Sequence, residues 1–208
     1  MNQIVPFNIW MVLLCAIGGY LVGNIQTAII VSKGKYHDDV RNHGSGNAGS
    51  TNMVRVFGFG PGAITFIGDF LKGILGVLIG RLLMGTYGGY IAGYCVIIGH
   101  CYPVFAGFRG GKGVASSCGV AIMVYPIGMI ISLVVGVLLV VFTKKVSIMS
   151  LTGVLTFFII TLIFRLQDIP LVILATMVVA IVCFRHTDNI KRIIHGEEKP
   201  LVSKSESK

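Results

Sequence analysis

Hydrophobic residues in this chain run in long blocks broken by a few polar stretches. Apolar segments fall at 7–32, 61–84, 88–106, 113–142, 146–164 and 169–184. Several reach the roughly 20 residues that a helix needs to cross a bilayer. The 113–142 block is too long for one span and contains Tyr125-Pro126-Ile127-Gly128. Proline lacks an N–H donor and disfavours helix just before it. The block therefore divides into a short helix near 113–124 and a longer one near 127–142. Seven helical segments are predicted, one of them short.

Composition fits this pattern. Of 208 residues, 54% are hydrophobic and 12% charged, and the mean hydropathy is +0.86. Soluble domains carry roughly 25% charged residues, so the chain reads as an all-α integral membrane protein. No soluble domain fits between the blocks. Residues 1–198 form a single transmembrane domain, and 199–208 are expected to be a disordered cytoplasmic tail. The first lysine is Lys33, so no basic region precedes the first apolar segment as in a signal peptide. Cys15, Cys95, Cys101, Cys118 and Cys183 make no C-x-x-C pair and read as lipid- or core-facing thiols.

The net charge of +9 follows from where the basic residues fall and calls for no nucleic acid. With the N-terminus outside and seven crossings, 14 basic residues lie inside, only Arg81 and Arg165 lie near the outer face, and Lys72 sits within a span. That distribution satisfies the positive-inside rule. If 113–142 crossed only once, 9 would lie outside and 7 inside, so the short helix counts as a crossing. The topology is N-out and C-in. A helix this short reaches less than the hydrocarbon thickness at about 1.5 Å per residue. Its connecting loop would then sit below the membrane surface, shielded by neighbouring helices.

This topology gathers three polar stretches on one cytoplasmic face. The first, 41–55, alternates Gly44, Gly46 and Gly49 with Ser45, Asn47, Ser50, Thr51 and Asn52, between Arg41 and Arg55. Glycines permit φ > 0 and close approach of a ligand, and successive N–H groups can converge on an anion. Thr51 or Asn52 could cap a short helix here. The run is a candidate phosphate cradle; alone, it could equally be a flexible polar loop. The second is Phe108-Arg109-Gly110-Gly111-Lys112-Gly113, a turn entering the short helix. It resembles a nucleotide P-loop only superficially: Ala106 stands where that motif needs Gly, and Gly113 where it needs Ser or Thr. A lysine among glycines at a helix start still suits an anion. The third runs from His186 to Glu198, with His186 and Asn189 three residues apart and so on one helix face.

Supporting residues surround these runs. Asp69 and Lys72 lie inside a span at i, i+3 and are expected to pair. His100 and Pro103 could support the second turn from below, with His100 in a core hydrogen bond. Lys191 and Arg192 read as interface anchors. Ser147 reads as a helix N-cap, and Ser150 lies one turn further along the same helix.

Taken together, Gly44-Ser-Gly-Asn-Ala-Gly-Ser-Thr-Asn52, Asp69-x-x-Lys-Gly73, Gly99-His-x-x-Pro-Val-Phe105, Phe108-Arg-Gly-Gly-Lys-Gly-Val-Ala115 and His186-x-x-Asn-Ile-x-Arg192 resemble the bacterial membrane acyl-phosphate:glycerol-3-phosphate acyltransferases. The resemblance covers about 18–198. It implies seven transmembrane helices in the bacterial inner membrane and a cytoplasmic-side site. It also implies transfer of a fatty acyl group from acyl-phosphate to glycerol 3-phosphate, giving lysophosphatidate and phosphate. By position, Ser45, Arg55, Lys112, Ser150, His186 and Asn189 match the family's site residues. Asn24 and Gln26 depart from its usual Ser and Pro, Ser50 from a common Ala, and Ile193-Ile194-His195 from a leucine-rich run. These departures bear on acyl-chain preference.

Two phosphate-bearing substrates explain two glycine cradles and several cations. Gly44, Ser45, Gly46, Asn47, Gly49, Gly110, Gly111, Lys112, Gly113 and Ser150 are expected to hold the acyl-phosphate. Arg55, Lys112, His186 and Asn189 are expected to hold glycerol 3-phosphate. Ser45, Lys112, His186 and Asn189 are the expected catalytic group, with His186 or a substrate phosphate as base. Neither cofactor nor metal is called for, and an acyl-phosphate-forming enzyme is the expected upstream partner. A transporter reading fits less well, because its polar groups belong at the midplane. A CDP-alcohol phosphotransferase would need spaced aspartates that Asp38, Asp39, Asp69, Asp168 and Asp188 do not supply.

Overall fold

The computed structural model describes residues 8–198 and 200, so of the expected tail all but Pro200 lies outside the described residues. Among the described residues the regular structure is helical. Nine α-helices follow one another: α1 (Ile9–Gly23), α2 (Thr27–Tyr36), α3 (Ser50–Phe57), α4 (Phe59–Cys101), α5 (Val114–Val124), α6 (Pro126–Thr143), α7 (Val146–Arg165), α8 (Ile169–Arg185) and α9 (Thr187–Ile194). Four stretches are long and apolar enough to cross a bilayer, and five if the pair α8–α9, bent by 65°, is one broken span. Large side chains such as Trp10, Leu82 and Phe142 point outward, as on a lipid-facing surface.

The longest helix, α4, doubles back on itself. Met84 (φ −147°, ψ 28°) and Gly85 (φ 59°, ψ −149°) leave the helical region. The two limbs then run antiparallel: a Cβ added at Gly80 would lie 2.1 Å from the Gly88 carbonyl oxygen, and one at Gly76 would meet Val96. The reversal falls between the expected 61–84 and 88–106 segments. Helix α1 packs beside the second limb as closely, since Cβ atoms at Gly19 and Gly23 would overlap the carbonyls of Ala92 and Val96. Small residues let helix backbones meet where lipid supplies no hydrophobic drive for association. Where α4, α5 and α8 meet, Val77, Ile97, Val120, Leu171 and Val182 form the buried apolar centre.

The division of 113–142 at Tyr125 is as expected, with Pro126 in the first turn of α6. The 7–32 segment is different: it is two helices, α1 and α2, broken at Asn24–Gln26. The Asn24 amide bonds back to the Tyr20 carbonyl, and its Oδ1 accepts from Phe105 N. The carbonyls freed at the break are taken by Lys72, whose Nζ donates to Gly23 O and Ile25 O. A polar pair of side chains inside an apolar run thus ends a helix that hydropathy alone would continue. Lys72 also pairs with Asp69 at 2.9 Å, as expected, and both are buried.

These contacts gather the α1–α2 break, the end of α4, the start of α5, the start of α7 and the end of α8 at one end of the bundle. The opposite end holds Tyr90 bonded to Asp168, and Arg165 over the Tyr125 ring. The five cysteines are free thiols.

The close limb packing predicts an asymmetry between glycines. Gly80→Val should destabilise the purified protein by about 2 kcal/mol or more, because backbone must move. Gly60→Ala, with nothing within 4 Å of its added Cβ, should stay within about 0.5 kcal/mol of wild type. Thermal unfolding in detergent reads both, and equal shifts would contradict the packing.

Candidate active site

The polar end of the bundle is built from three loops and the start of α7. The first loop is shaped by one buried side chain. The Asn52 amide Nδ2 donates to the carbonyls of Val40, His43 and Asn47, and its Oδ1 accepts from Ser45 N. Neither Thr51 nor Asn52 is the helix cap: α3 starts at Ser50 after Gly49. Asn52 ties the loop to the helix from within the first turn instead, because an amide offers more bonds than a cap uses. Gly44 and Gly46 take φ of 60° and 69° and turn the chain about Asn52, so that Ser45 N and Gly46 N are bonded within the loop, to Asn52 Oδ1 and His43 O. Ser45 and Arg55 are exposed. Arg41 is not a free cation: it pairs with Asp39 at 2.7 Å and donates to Ala106 O. That guanidinium holds the Asp39 carboxyl well below the usual range.

The second loop is anchored from both sides. Gly111 N donates to His100 O, and Phe108 N donates to Pro103 O, so His100 and Pro103 do support the turn. Arg185 reaches over from the end of α8 and donates to Gly110 O and Gly111 O, with its guanidinium 5.2 Å from the Tyr102 ring centroid. Gly113, at φ 85°, caps α5. Lys112 is left pointing at the third loop, where its Nζ donates to Asn189 Oδ1. Through the turn at Gly111, Ala48 O of the first loop also comes close, 3.1 Å from where a Gly111 Cβ would stand.

The third loop begins where α8 stops. His186 is buried between α8 and α9, and its Nδ1 lies 2.8 Å from Val182 O. A carbonyl only accepts, so Nδ1 carries the proton and the neutral ring presents Nε2 as an acceptor. Burial, then the Lys112 charge, brings His186 down to about 4. Burial likewise brings Lys112 down to about 8, with Glu198 pulling upward and Arg192 and Arg185 repelling. Asn189 Nδ2 donates to Ser147 Oγ at 2.7 Å and to Glu198 Oε1 at 2.6 Å.

Ser147 is thus not an N-cap: no side chain caps α7. Its hydroxyl donates to Glu198, a stronger acceptor than its own helix start offers. Arg192, expected as an interface anchor, pairs with Glu198 at 2.8 Å. Burial would raise the Glu198 carboxyl, but hydrogen bonds from Ser147, Asn189 and Arg192 outweigh it and hold it low. Ser150 donates to Val146 O and faces away from this cluster. It lines, with Ser117, Gly136, Gly153 and Phe157, an apolar cleft between α5, α6, α7 and α8.

Lys112, Asn189 and Ser147 are therefore in a direct bonded chain, with His186 beside them. Ser45, on the adjoining loop, and Arg55, on α3 after it, make no direct bond to that chain among the described residues. Sequence reasoning missed Arg185, Asn52 and Glu198 as builders of the site. Arg185 adjoins His186 in the sequence and was legible as a cation at a span exit. Glu198 had no local signal, since its partners lie up to 51 residues away. Chemically, the end of the bundle offers one under-neutralised ammonium, backbone N–H groups at two turns, and one imidazole acceptor. Such a set of groups can hold an anion next to a proton acceptor.

The family model for glycerol-3-phosphate acyltransferase matches residues 13–196. A "Glycerol-3-phosphate acyltransferase" of Thermoanaerobacter sp. (strain X514) is 45% identical over 94% of this chain and 98% of its own. "Glycerol-3-phosphate acyltransferase 2" of Bacillus anthracis is 40% identical over 91% and 99% respectively. The crystal structure of PlsY (YgiH), an integral membrane glycerol 3-phosphate acyltransferase, in its glycerol 3-phosphate form superposes with a TM-score of 0.85. It is 34% identical and the match covers 91% of this chain and 94% of that one. Fold and sequence agree, and the chain belongs to the integral membrane glycerol-3-phosphate acyltransferase family.

Proposed function

We propose that the protein transfers a fatty acyl group from acyl-phosphate to glycerol 3-phosphate, giving lysophosphatidate and inorganic phosphate. The observation that carries this reading is the bonded chain Lys112–Asn189 with the His186 acceptor beside it, between two glycine turns and next to an apolar cleft. The donor choice follows from charge. A site with several cations suits two phosphates, and acyl-phosphate already carries its leaving group.

In this reading the 44–52 loop and the Gly110–Gly113 turn hold the acyl-phosphate, and the acyl chain lies in the cleft past Ser150. Arg55 and Lys112 hold the phosphate of the acceptor, which His186 and Asn189 orient. The glycerol hydroxyl oxygen attacks the acyl carbonyl carbon. His186 Nε2 takes the hydroxyl proton, or the phosphate dianion of a substrate takes it. The carbon–oxygen bond to phosphate breaks, and inorganic phosphate leaves with its electron pair. Lys112 and the N-terminus of α5 stabilise the charge developing on the leaving group. Because the donor is activated, positioning and charge carry most of the acceleration.

The same reading sets the chain in the bacterial inner membrane with seven crossings, the N-terminus outside and the polar loops in the cytoplasm. The two limbs of α4 would be two of the crossings and α5 a third, short one. The donor would come from a cytoplasmic acyl-phosphate-forming enzyme.

Purified protein given acyl-phosphate and glycerol 3-phosphate without divalent metal should release phosphate. Acyl-CoA and acyl-carrier protein, offered as alternative donors, should not replace acyl-phosphate. Lys112→Ala should abolish turnover in a folded protein, and a near-normal rate would refute the charge role. His186→Ala should lose more than about tenfold; a smaller loss leaves the substrate phosphate as the base.

The pH dependence has a definite sign. Lys112 is charged below about 8 in the free protein, so anion capture is intact there and fails above. Since kcat/KM reports groups of the free enzyme, it should fall as pH rises through about 8. Lys112→Arg should move that limb beyond the measurable range, because arginine stays charged. A limb unchanged in Lys112→Arg would assign it elsewhere.

A further inference from the structure

His100 sits beneath the lysine-bearing turn, and nothing in the proposed chemistry uses it. It is 3% exposed. On one side its Nδ1 lies 2.8 Å from Lys72 Nζ. An ammonium has only hydrogens to offer, so Nδ1 is the acceptor and the ring proton sits on Nε2. Lys72 is in turn fixed by Asp69 at 2.9 Å and by the Gly23 and Ile25 carbonyls at the α1–α2 break. Thr27 Oγ1 donates to Asp69 from α2. The imidazole is thereby held in one tautomer and one plane by groups from α1, α2 and both limbs of α4.

On the other side, the ring is the floor of the turn. A Cβ at Gly111 would stand 2.0 Å from His100 Nε2 and 2.6 Å from Cε1. Gly111 N also donates to His100 O at 3.1 Å. Glycine is required here because the backbone lies against the ring. Lys112 is the next residue, and Arg185 presses the same turn from above through the Gly110 and Gly111 carbonyls.

We infer that His100 is a positioning residue for acyl transfer: backed by Lys72 and Asp69, its ring sets the height of the Gly110–Lys112 turn and so aims the Lys112 ammonium at the substrate phosphates. The inference rests on the proposed role of Lys112. Its chemistry is steric and dipolar, and no proton passes through the buried pair. Displacing a charge-stabilising group by about 1 Å costs roughly 100-fold in rate, so a small drop of this turn has a large effect.

A double-mutant cycle tests it on the full-length protein in detergent. Gly111→Ala should lower kcat by roughly 100-fold, by pushing the turn off the ring. His100→Asn, which keeps an acceptor for Lys72 but removes the floor, should lower kcat by about tenfold or more and also raise KM for glycerol 3-phosphate, because Lys112 also holds the acceptor phosphate. Combined, the two should recover at least about tenfold over Gly111→Ala alone, because the added methyl then has room. Should His100→Asn not fold, His100→Gln carries the same comparison. Independent effects that simply multiply would overturn the inference, as would a folded His100→Asn within about threefold of wild type. Melting temperature follows the same cycle without any assay: Gly111→Ala should lower it and His100→Asn should restore part of the loss. If wild type fails to acylate glycerol 3-phosphate, the proposed function falls. The thermal cycle then decides the ring–turn contact by itself, and absence of recovery there rejects it.

Discussion

A lysine ammonium with no carboxylate in direct contact among the described residues governs the polar end of this bundle. Lys112 is half-buried at the head of α5, and its direct partner is the neutral amide oxygen of Asn189. Burying a charge is costly unless it is paired. Here the nearest acid, Glu198, is occupied by Ser147, Asn189 and Arg192. The site is therefore short of negative charge by construction. In the proposed reaction a substrate phosphate supplies that charge, and the interaction serves binding and the transition state. The neutral state of His186 follows from the same lysine, since burial and that charge both oppose its protonation.

Holding such a group needs a rigid frame, and the frame is made of glycine contacts. Backbones of α1 and the two limbs of α4 touch through Gly19, Gly23, Gly80 and Gly88. Apolar side chains left over face outward. Buried polar groups bind the frame to the site: Lys72 closes the α1–α2 break, Asn52 draws the first loop around itself, and Arg185 clips the second. Each donates to backbone carbonyls, Lys72 also meeting the Asp69 and His100 side chains, so each fixes chain geometry and not merely a side chain.

Much of this was legible in the sequence. Hydropathy located the apolar segments, and Pro126 marked the division at Tyr125 correctly because proline acts locally. The Asp69–Lys72 pair was legible because i, i+3 residues meet on any helix. The break at Asn24–Gln26 was not, since the groups that donate to its exposed oxygens come from α4 and the 104–106 turn. Ser147 misled for the converse reason: its local signal was a cap, and a distant carboxylate outcompeted it. Asn52 acts through carbonyls 5 to 12 residues back in the same loop, whose turns leave no periodic pattern, and Glu198 through Ser147, 51 residues away. Of the expected site, Lys112, Asn189 and His186 are brought together, Ser45 and Arg55 stand on the neighbouring loop, and Ser150 turns to the apolar cleft.

The most direct test of the under-neutralised ammonium is to titrate it. Lysine-selective NMR on the protein in micelles, with Lys112→Arg to assign the signal, would follow Lys112 with and without glycerol 3-phosphate. The expected midpoint is about 8 in the empty site, moving upward when the phosphate binds, because a bound anion favours the charged form. A midpoint at the ordinary 10.5 that glycerol 3-phosphate leaves unmoved would contradict it.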